Sequence, residues 1–490
     1  MSKIAGFISE TIIYGFANVF SRIFAMLLIP LYVGFLGKID YSNLIMLQST
    51  FAILTLLLAL NSGVFYYYYE YTKIRYQKIV FTSWFYYALI ISLLIIVLLS
   101  ILSLKLTSLF ITTDDNKNTI QWCLILVGIQ LIPYVFNNTN INLFRIDRKP
   151  KMVMLMVALE AFLTFLFIYF SLKILKGGLI EIIISQILAR SFVCLYTLKN
   201  SLFFLSIYNF SKKLLIRIIS YSWPYFIITG FAWIIISIDK FIGAQYLTDK
   251  TEVAILALAS QLVIPMIILS DMIRMAIGPY IMSIRKEMDA EKSYQQIFEI
   301  SIFVSSFVTV VIVMATPFLT LILADPTYLV VIKIMPLITF ANILSLASNQ
   351  FSVSFSLVKK NIYILYAFAV AGTVGILINL VFMKYYGFII SGISQIISYV
   401  IMSLMLYLIG KRIANQKLKL KNSCIILIIV IIYITIIMAF SQNITNENYS
   451  ILIICSFLTL LSIYIIYLKQ QKISLLFPYQ IIKQKLKFNL

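Results

Sequence analysis

Long apolar runs, each closed by a short polar segment, follow one another along the whole chain. A helix needs about 20 apolar residues to cross the hydrocarbon core of a bilayer. On that basis fourteen spans are predicted, at roughly 9–35, 42–65, 80–104, 119–143, 152–172, 179–206, 215–238, 252–282, 297–323, 329–356, 361–383, 388–410, 423–441 and 450–468. The run at 252–282 is long and, beyond Glu252 at its edge, carries two charges, Asp271 and Arg274. The first run exceeds the apolar core of a signal peptide, so it is expected to be an uncleaved first span. The expected fold class is an all-α polytopic membrane protein of about fourteen transmembrane helices.

Composition agrees with the pattern. Of 490 residues, 62% are hydrophobic and only 12% are charged, and the mean hydropathy is +1.00. Soluble proteins carry about 45–50% apolar and about 25% charged residues. Half the usual charge cannot coat a water-facing surface of this size. A soluble enzyme, a secreted domain and a disordered chain are excluded. The chain has no histidine. That excludes His-based zinc sites, Ser-His-Asp triads and histidine proton relays. Cys123, Cys194, Cys424 and Cys455 fall inside apolar runs without close pairing and read as small core residues. No metal or cofactor is expected.

The net charge of +21 points to topology and not to nucleic acid. With the N-terminus inside, the loops placed inside hold over three times as many Lys and Arg as those placed outside. That is the positive-inside bias, and it sets both termini in the cytoplasm. The aromatic cluster Tyr66–Tyr69 falls at a predicted membrane interface. No loop placed outside exceeds roughly a dozen residues, which leaves no room for an external catalytic domain.

The chain also matches itself at a spacing of 209 residues. Ile184-Ser185-Gln186-Ile187 recurs as Ile393-Ser394-Gln395-Ile396, Gly178 as Gly387, Gly34 as Gly243, and Asn140 as Asn349. The basic pair Arg148-Lys149 is echoed, slightly out of phase, by Lys359-Lys360. The shift carries span 1 onto 7, 4 onto 10 and 6 onto 12. An even number of spans gives parallel repeats, and these imply two lobes about an axis along the membrane normal. The expected domains are 1–208 (spans 1–6), 209–415 (spans 7–12) and 416–490 (two further spans and a basic tail). Seven prolines within spans, Pro30, Pro133, Pro224, Pro265, Pro279, Pro317 and Pro336, suit helices that bend during alternating access.

Four basic residues lie within the spans apart from Lys199 and Arg217, which are counted with the inside segments: Arg22, Arg190, Arg274 and Lys333. The acidic residues away from the span edges are Glu160 and Asp271, with Asp239 closing span 7 beside Lys240. An ionisable residue at bilayer depth faces a cavity or a partner. One reading is a cationic cavity for an anionic head group, because the Arg fork binds phosphate oxygens in pairs. Glu160, Asp271 and Asp239 are then the candidates to carry a coupling ion. The other reading is structural ion pairing, of Asp271 with Arg274 at i, i+3 or of Arg22 with Glu160. Arg190, Lys333 and Asp239 sit nearer predicted helix ends, where snorkelling or structural pairing is the simpler account.

Several local patterns carry a family resemblance. They are Gly15-Phe16-Ala17-Asn18 with Arg22, Pro30-Leu31-Tyr32, Gly34 and Asp40-Tyr41; Asn61-Ser62-Gly63-Val64; Leu143-Phe144-Arg145-Ile146-Asp147-Arg148-Lys149; and Tyr221-Ser222-Trp223-Pro224 followed by Asp239-Lys240. In this order they resemble the polysaccharide-exporter branch of the multidrug/oligosaccharidyl-lipid/polysaccharide (MOP) exporter superfamily, most of all the Wzx-type O-antigen flippases. Lys240 stands where that family usually has arginine. The resemblance covers residues 5–415 and implies two six-helix lobes around a cationic cavity. It implies movement of an undecaprenyl-pyrophosphate-linked oligosaccharide from the cytoplasmic to the periplasmic leaflet of the bacterial inner membrane. It further implies Arg22 and Arg274 at the pyrophosphate or an acidic sugar, coupling to H+ or Na+, and polysaccharide polymerase or chain-length proteins as partners.

Rival readings are a cation-coupled drug exporter of the same fold and, from another class, a membrane-embedded O-antigen polymerase or glycosyltransferase. A drug exporter for cations would favour acidic cavity residues, whereas the charges within these spans are mostly basic. An enzyme would need a large outside loop, and only Asp114-Asp115 in a short one could be offered. Glu70-Tyr71-Thr72-Lys73-Ile74-Arg75 lacks the major-facilitator loop pattern. No P-loop is present, so ATP hydrolysis by this chain is not expected.

Overall fold

The computed structural model describes residues 2–58, 60–71, 73–111, 116–147, 149–204, 209–284, 290–358, 360–413, 418–444 and 449–470. Asp114, Asp115, Arg148, Lys359 and the basic tail beyond 470 lie outside these, as do the side chains before Val19 and those of Asn61–Gly63. Among the described residues all regular structure is helical.

The described residues form seventeen α-helices: α1 (Ser2–Phe35), α2 (Lys38–Leu58), α3 (Asn61–Glu70), α4 (Ile74–Leu106), α5 (Lys117–Ile129), α6 (Leu131–Ile146), α7 (Pro150–Lys173), α8 (Leu179–Phe204), α9 (Lys212–Tyr246), α10 (Glu252–Leu262), α11 (Ile264–Ile284), α12 (Ala290–Leu323), α13 (Met335–Leu357), α14 (Ile362–Tyr386), α15 (Ile389–Ile413), α16 (Lys421–Ile444) and α17 (Ser450–Gln470). Among the described residues eleven segments are long and apolar enough to cross a membrane alone, and two bent pairs, each taken as one span, bring the number to 13. The 34-residue α1, apolar over Val19–Phe35, occupies the place of the first predicted span. The protein is a multi-pass membrane protein.

Four predicted spans are broken. Span 2 divides between α2 and α3, span 4 at Gln130, span 8 at Val263 with a 43° bend, and span 10 at Ile334 with a 49° bend after a 3-10 turn over Pro326–Lys333. Pro265 and Pro336 each sit at the second residue of the helix after a break. Proline fits the first turn of a helix, where its missing N–H leaves no bond unmade. Carbonyls freed by a break must find donors, because lipid offers none. At span 2, Trp84 Nε1 donates to Leu58 O at 3.1 Å and Tyr87 Oη to Leu57 O at 3.1 Å.

Packing repeats with a six-span shift. Helix α1 packs on α7 as α9 packs on α14; α7 packs on α8 as α14 on α15; α6 packs on α8 as α13 on α15. The breaks obey the same shift, span 2 answering span 8 and span 4 answering span 10. Helix α9 is 35 residues long and also reaches across to α2, α3 and α4. Trp233 Nε1 fastens it there by donating to Ser49 O at 3.0 Å. Helices α16 and α17 pair with each other and lie against α12.

Short turns close the spans. Between α9 and α10, the hydroxyl and amide of Thr251 donate to Asp249 Oδ1 at 2.7 and 2.8 Å and hold that carboxyl below the usual carboxylate range. Between α14 and α15, Gly387 has φ +69°, and a Cβ there would lie 3.3 Å from Glu252 Oε2. With ψ −160° this is a backbone region essentially restricted to glycine, and it costs an L-residue about 1–3 kcal/mol. Gly387→Ala is therefore expected to lower the thermal midpoint of the purified protein, and an unchanged midpoint would show that the turn relaxes.

Cysteines depart in part from expectation. Cys123 is buried, but Cys424 is exposed on α16. An apolar run in a membrane protein does not separate core from lipid-facing positions, since both are apolar.

Candidate functional site

Among the described residues the spans hold two charged clusters that touch open space, and one that is sealed. The first joins the two halves. The bend at Val263 separates α10, which packs on α2 and α9, from α11, which packs on α1, α12 and α13. Asp271 of α11 thereby meets Arg22 of α1: Arg22 Nη2 donates to Asp271 Oδ2 at 2.5 Å. Arg274, one turn further along α11, donates from Nη2 to Asp271 Oδ1 at 2.7 Å. One carboxylate is thus held by two guanidinium groups, one on each oxygen, and the cluster carries a net positive charge. Arg22 Nη1 is buried and has no hydrogen-bond partner. The Arg274 side chain is 64% exposed. A guanidinium facing hydrocarbon would cost several kcal/mol, so the exposed side of Arg274 calls for polar surroundings.

The second cluster lies among the first six spans. Arg190 Nε of α8 donates to Glu160 Oε1 of α7 at 2.9 Å. Asn137 of α6 donates to Arg190 O at 3.0 Å and to Glu160 Oε2 at 3.4 Å. The guanidinium carbon of Arg190 stands 4.2 Å from the Phe51 ring centroid, within cation–π range. Arg190 lies at the junction of two cavities, of about 280 and about 350 Å³, that share Ala25, Leu28, Thr164 and Arg190.

Asp239 and Lys240 form the third cluster, inside α9. That helix runs on to Tyr246, so the pair does not close it as the sequence suggested. Both side chains are only 3% exposed, with Lys240 Nζ 3.2 Å from Asp239 Oδ1 and 3.2 Å from Ile236 O. Ser391 of α15 donates to the other carboxylate oxygen of Asp239.

The structure therefore brings Arg22 together with Asp271 and Arg274, Arg190 with Glu160, and Asp239 with Lys240. The alternative pairing of Arg22 with Glu160 is not made. Arg190 sits in the middle of α8 and not near its end. Lys333 stands apart, half-buried where the 3-10 turn meets α13. Each acidic candidate for ion coupling already holds a basic partner, so a proton or sodium ion would compete there with a fixed cation. Among the described residues no three potential metal ligands come together.

Asn137, Phe51 and Ser391 were missed in the sequence, as were Gln48, Gln130, Gln186 and Gln261, which line the smaller cavity. A signal existed for the glutamines. An amide in the middle of an apolar span is itself unusual, and Gln186 belongs to the repeated Ile-Ser-Gln-Ile.

No protein-family model and no curated protein matches the chain. Solved structures do. The lipid II flippase MurJ in an inward closed conformation superposes with a TM-score of 0.74, at 16% identity over 94% of this chain and 99% of its own. An inward-facing multidrug resistance MATE transporter of the MOP superfamily gives 0.67, at 14% identity over 83% of this chain and 99% of its own. The fold is that of the MOP exporters. A MOP superfamily transporter from Pyrococcus furiosus, described as having a binding pocket of reversed polarity, gives 0.55 at 13% identity over 84% of this chain and 95% of its own. Within the MOP fold of the present chain, the Arg22–Asp271–Arg274 cluster ties the first six spans to the next six. The Glu160–Arg190 cluster belongs to the first six alone.

Proposed function

We propose that the chain is a flippase for an oligosaccharide carried on a lipid pyrophosphate, of the undecaprenyl-pyrophosphate type, moved from the inner to the outer leaflet of a bacterial cytoplasmic membrane. The observation that carries this is the two-arginine grip on Asp271. A carboxylate bound through each oxygen by a separate guanidinium has the form of a bound oxyanion, and pyrophosphate offers the same pairs of oxygens. Asp271 holds the place while no substrate is there. When the pyrophosphate takes Arg22 and Arg274, the carboxylate loses its partners and the link between α1 and α11 opens. Substrate binding and the rocking of one half against the other are thus the same event, which is the requirement of alternating access.

Resemblance of the sequence motifs to Wzx-type flippases and of the fold to a lipid II flippase supports a lipid-linked substrate. Likeness to MATE transporters supports the exporter geometry. O-antigen or capsule repeat units, coupling to H+ or Na+, cytoplasmic termini, the lobe boundaries near 208 and 415, and cooperation with a polymerase all belong to this proposal. Deleting the gene tests it. The expected result is loss of surface polysaccharide with build-up of its lipid-linked repeat unit in the inner leaflet, both reversed by the intact gene. Unchanged polysaccharide together with new sensitivity to cationic drugs would overturn the proposal in favour of the drug exporter.

A further inference from the structure

We infer that the paired cavities lined by the first six spans and by Gln261 of α10 form a subsite for an uncharged sugar of the transported head group. This deepens the proposed function and rests on it for the identity of the lipid carrier. The chemistry of the walls argues for the ligand class. Four glutamines, Gln48, Gln130, Gln186 and Gln261, line the smaller cavity together with Tyr41 and Arg190, and Gln130 Nε2 donates to Gln186 Oε1 at 3.0 Å, so these two amides act as a linked pair. Amides and phenols each offer donors and acceptors, the set that matches sugar hydroxyls. The charge pair on the two cavities, Arg190 with Glu160 on the wall of the larger, is already neutral as a unit. An acidic sugar would have to displace Glu160 from Arg190, and a metal ion would have to displace Arg190 from Glu160. A neutral polyol displaces neither.

Unpartnered atoms point the same way. Tyr41 is fully buried and its hydroxyl has no hydrogen-bond partner. Asn137, 2% exposed, leaves Oδ1 without one on the wall of the larger cavity. Arg190 Nη1, where the cavities meet, has none either. Buried polar atoms in native proteins are nearly always satisfied, so three orphans on one pair of cavities mark positions for ligand atoms or the water they replace. Phe51 adds an aromatic face to the smaller cavity. Each volume lies near the lower end of the range for small-molecule sites, about 300–1,000 Å³. Position also fits. Ser21 and Ala25, which flank Arg22 along α1, line the larger cavity. A pyrophosphate at Arg22 therefore places its first sugar against these walls. Gln261 comes from α10, so a sugar in the smaller cavity touches both halves.

The test measures binding of two lipids to the purified full-length protein by native mass spectrometry: undecaprenyl pyrophosphate, and the same lipid bearing a neutral N-acetylated disaccharide. The sugar-bearing lipid is expected to bind about tenfold more tightly, the scale of one or two hydrogen bonds to buried partners. The double variant Gln130→Leu, Gln186→Leu is expected to lose that gain and keep its affinity for the bare lipid, which reports that it is folded. Tyr41→Phe, which removes one oxygen only, is expected to lose part of the gain. Equal binding of the two lipids by the wild-type protein, or a gain that survives the glutamine replacements, would overturn the subsite. Arg22→Ala separates the two ideas. It is expected to weaken both lipids alike. If it leaves the bare lipid unaffected while the glutamine effect persists, the pyrophosphate reading fails and the sugar subsite stands.

Discussion

Replacing Arg22 with alanine is expected to abolish surface polysaccharide while the protein accumulates at its normal level. The change removes one of two guanidinium groups from Asp271 and leaves Arg274 on the other oxygen. The carboxylate therefore keeps a partner, and its side chain is a quarter exposed, so the fold loses little. The substrate loses more. A charge-assisted hydrogen bond contributes about 1.5–3 kcal/mol, which makes binding of a pyrophosphate roughly 10- to 100-fold weaker. Loss of the cross-link between α1 and α11 also leaves the two halves without the contact that substrate is proposed to release. Arg22→Lys separates charge from geometry, because an ammonium keeps the charge but not the planar fork. It is expected to retain partial transport. The assay is immunoblotting of surface glycan against protein level in a deletion strain carrying each variant. Normal glycan in the alanine variant would remove Arg22 from the mechanism.

Much of this architecture was legible in the sequence, for a physical reason. A bilayer accepts only segments that satisfy their own backbone, so each span announces itself as an apolar run. The repeat was legible too, since Ile184–Ile187 and Ile393–Ile396 fall on α8 and α15, which take equivalent places in the packing. The breaks at Gln130, Val263 and Ile334 were not. Apolar residues continue through them, and hydropathy does not register a bend. Only Pro265 and Pro336, one residue inside the new helices, hinted at two of them. Arg22, Asp271 and Arg274 were each visible as charges in apolar surroundings. Their meeting was not, because Arg22 and Asp271 lie 249 residues apart and only the path of α11 past α1 joins them. The i, i+3 pair of Asp271 with Arg274 needed no tertiary knowledge and was correctly foreseen as a shared face. The glutamine-lined cavity walls were the least legible part. Glutamine carries no charge to stand out against the lipid, and its significance depends on four of them converging from different helices.

The sealed pair in α9 carries the largest expected effect on stability. Asp239 and Lys240 are each 3% exposed, and removing one partner strands the other. Stranding a buried charge costs about 3–5 kcal/mol, whereas replacing a whole buried pair by apolar groups is often neutral. Asp239→Ala leaves the Lys240 ammonium with only the Ile236 carbonyl. Lys240→Met leaves Asp239 with the Ser391 hydroxyl and the amide of residue 240, the latter 2.9 Å from Oδ1, so its loss is expected to be smaller. The double variant is expected to recover most of the stability lost in Asp239→Ala. Thermal midpoints in detergent then rank double variant, Lys240→Met and Asp239→Ala in descending order. A double variant that loses the sum of the two single effects would show that the residues act independently. The same series bears on ion coupling. A sodium ion at Asp239 would need the ammonium to withdraw, so Lys240→Met is expected to make the midpoint rise with added sodium where the wild type is indifferent. A wild-type protein already stabilised by sodium, with the effect lost in Asp239→Asn, would instead make this carboxylate an ion site and Lys240 its movable counter-charge.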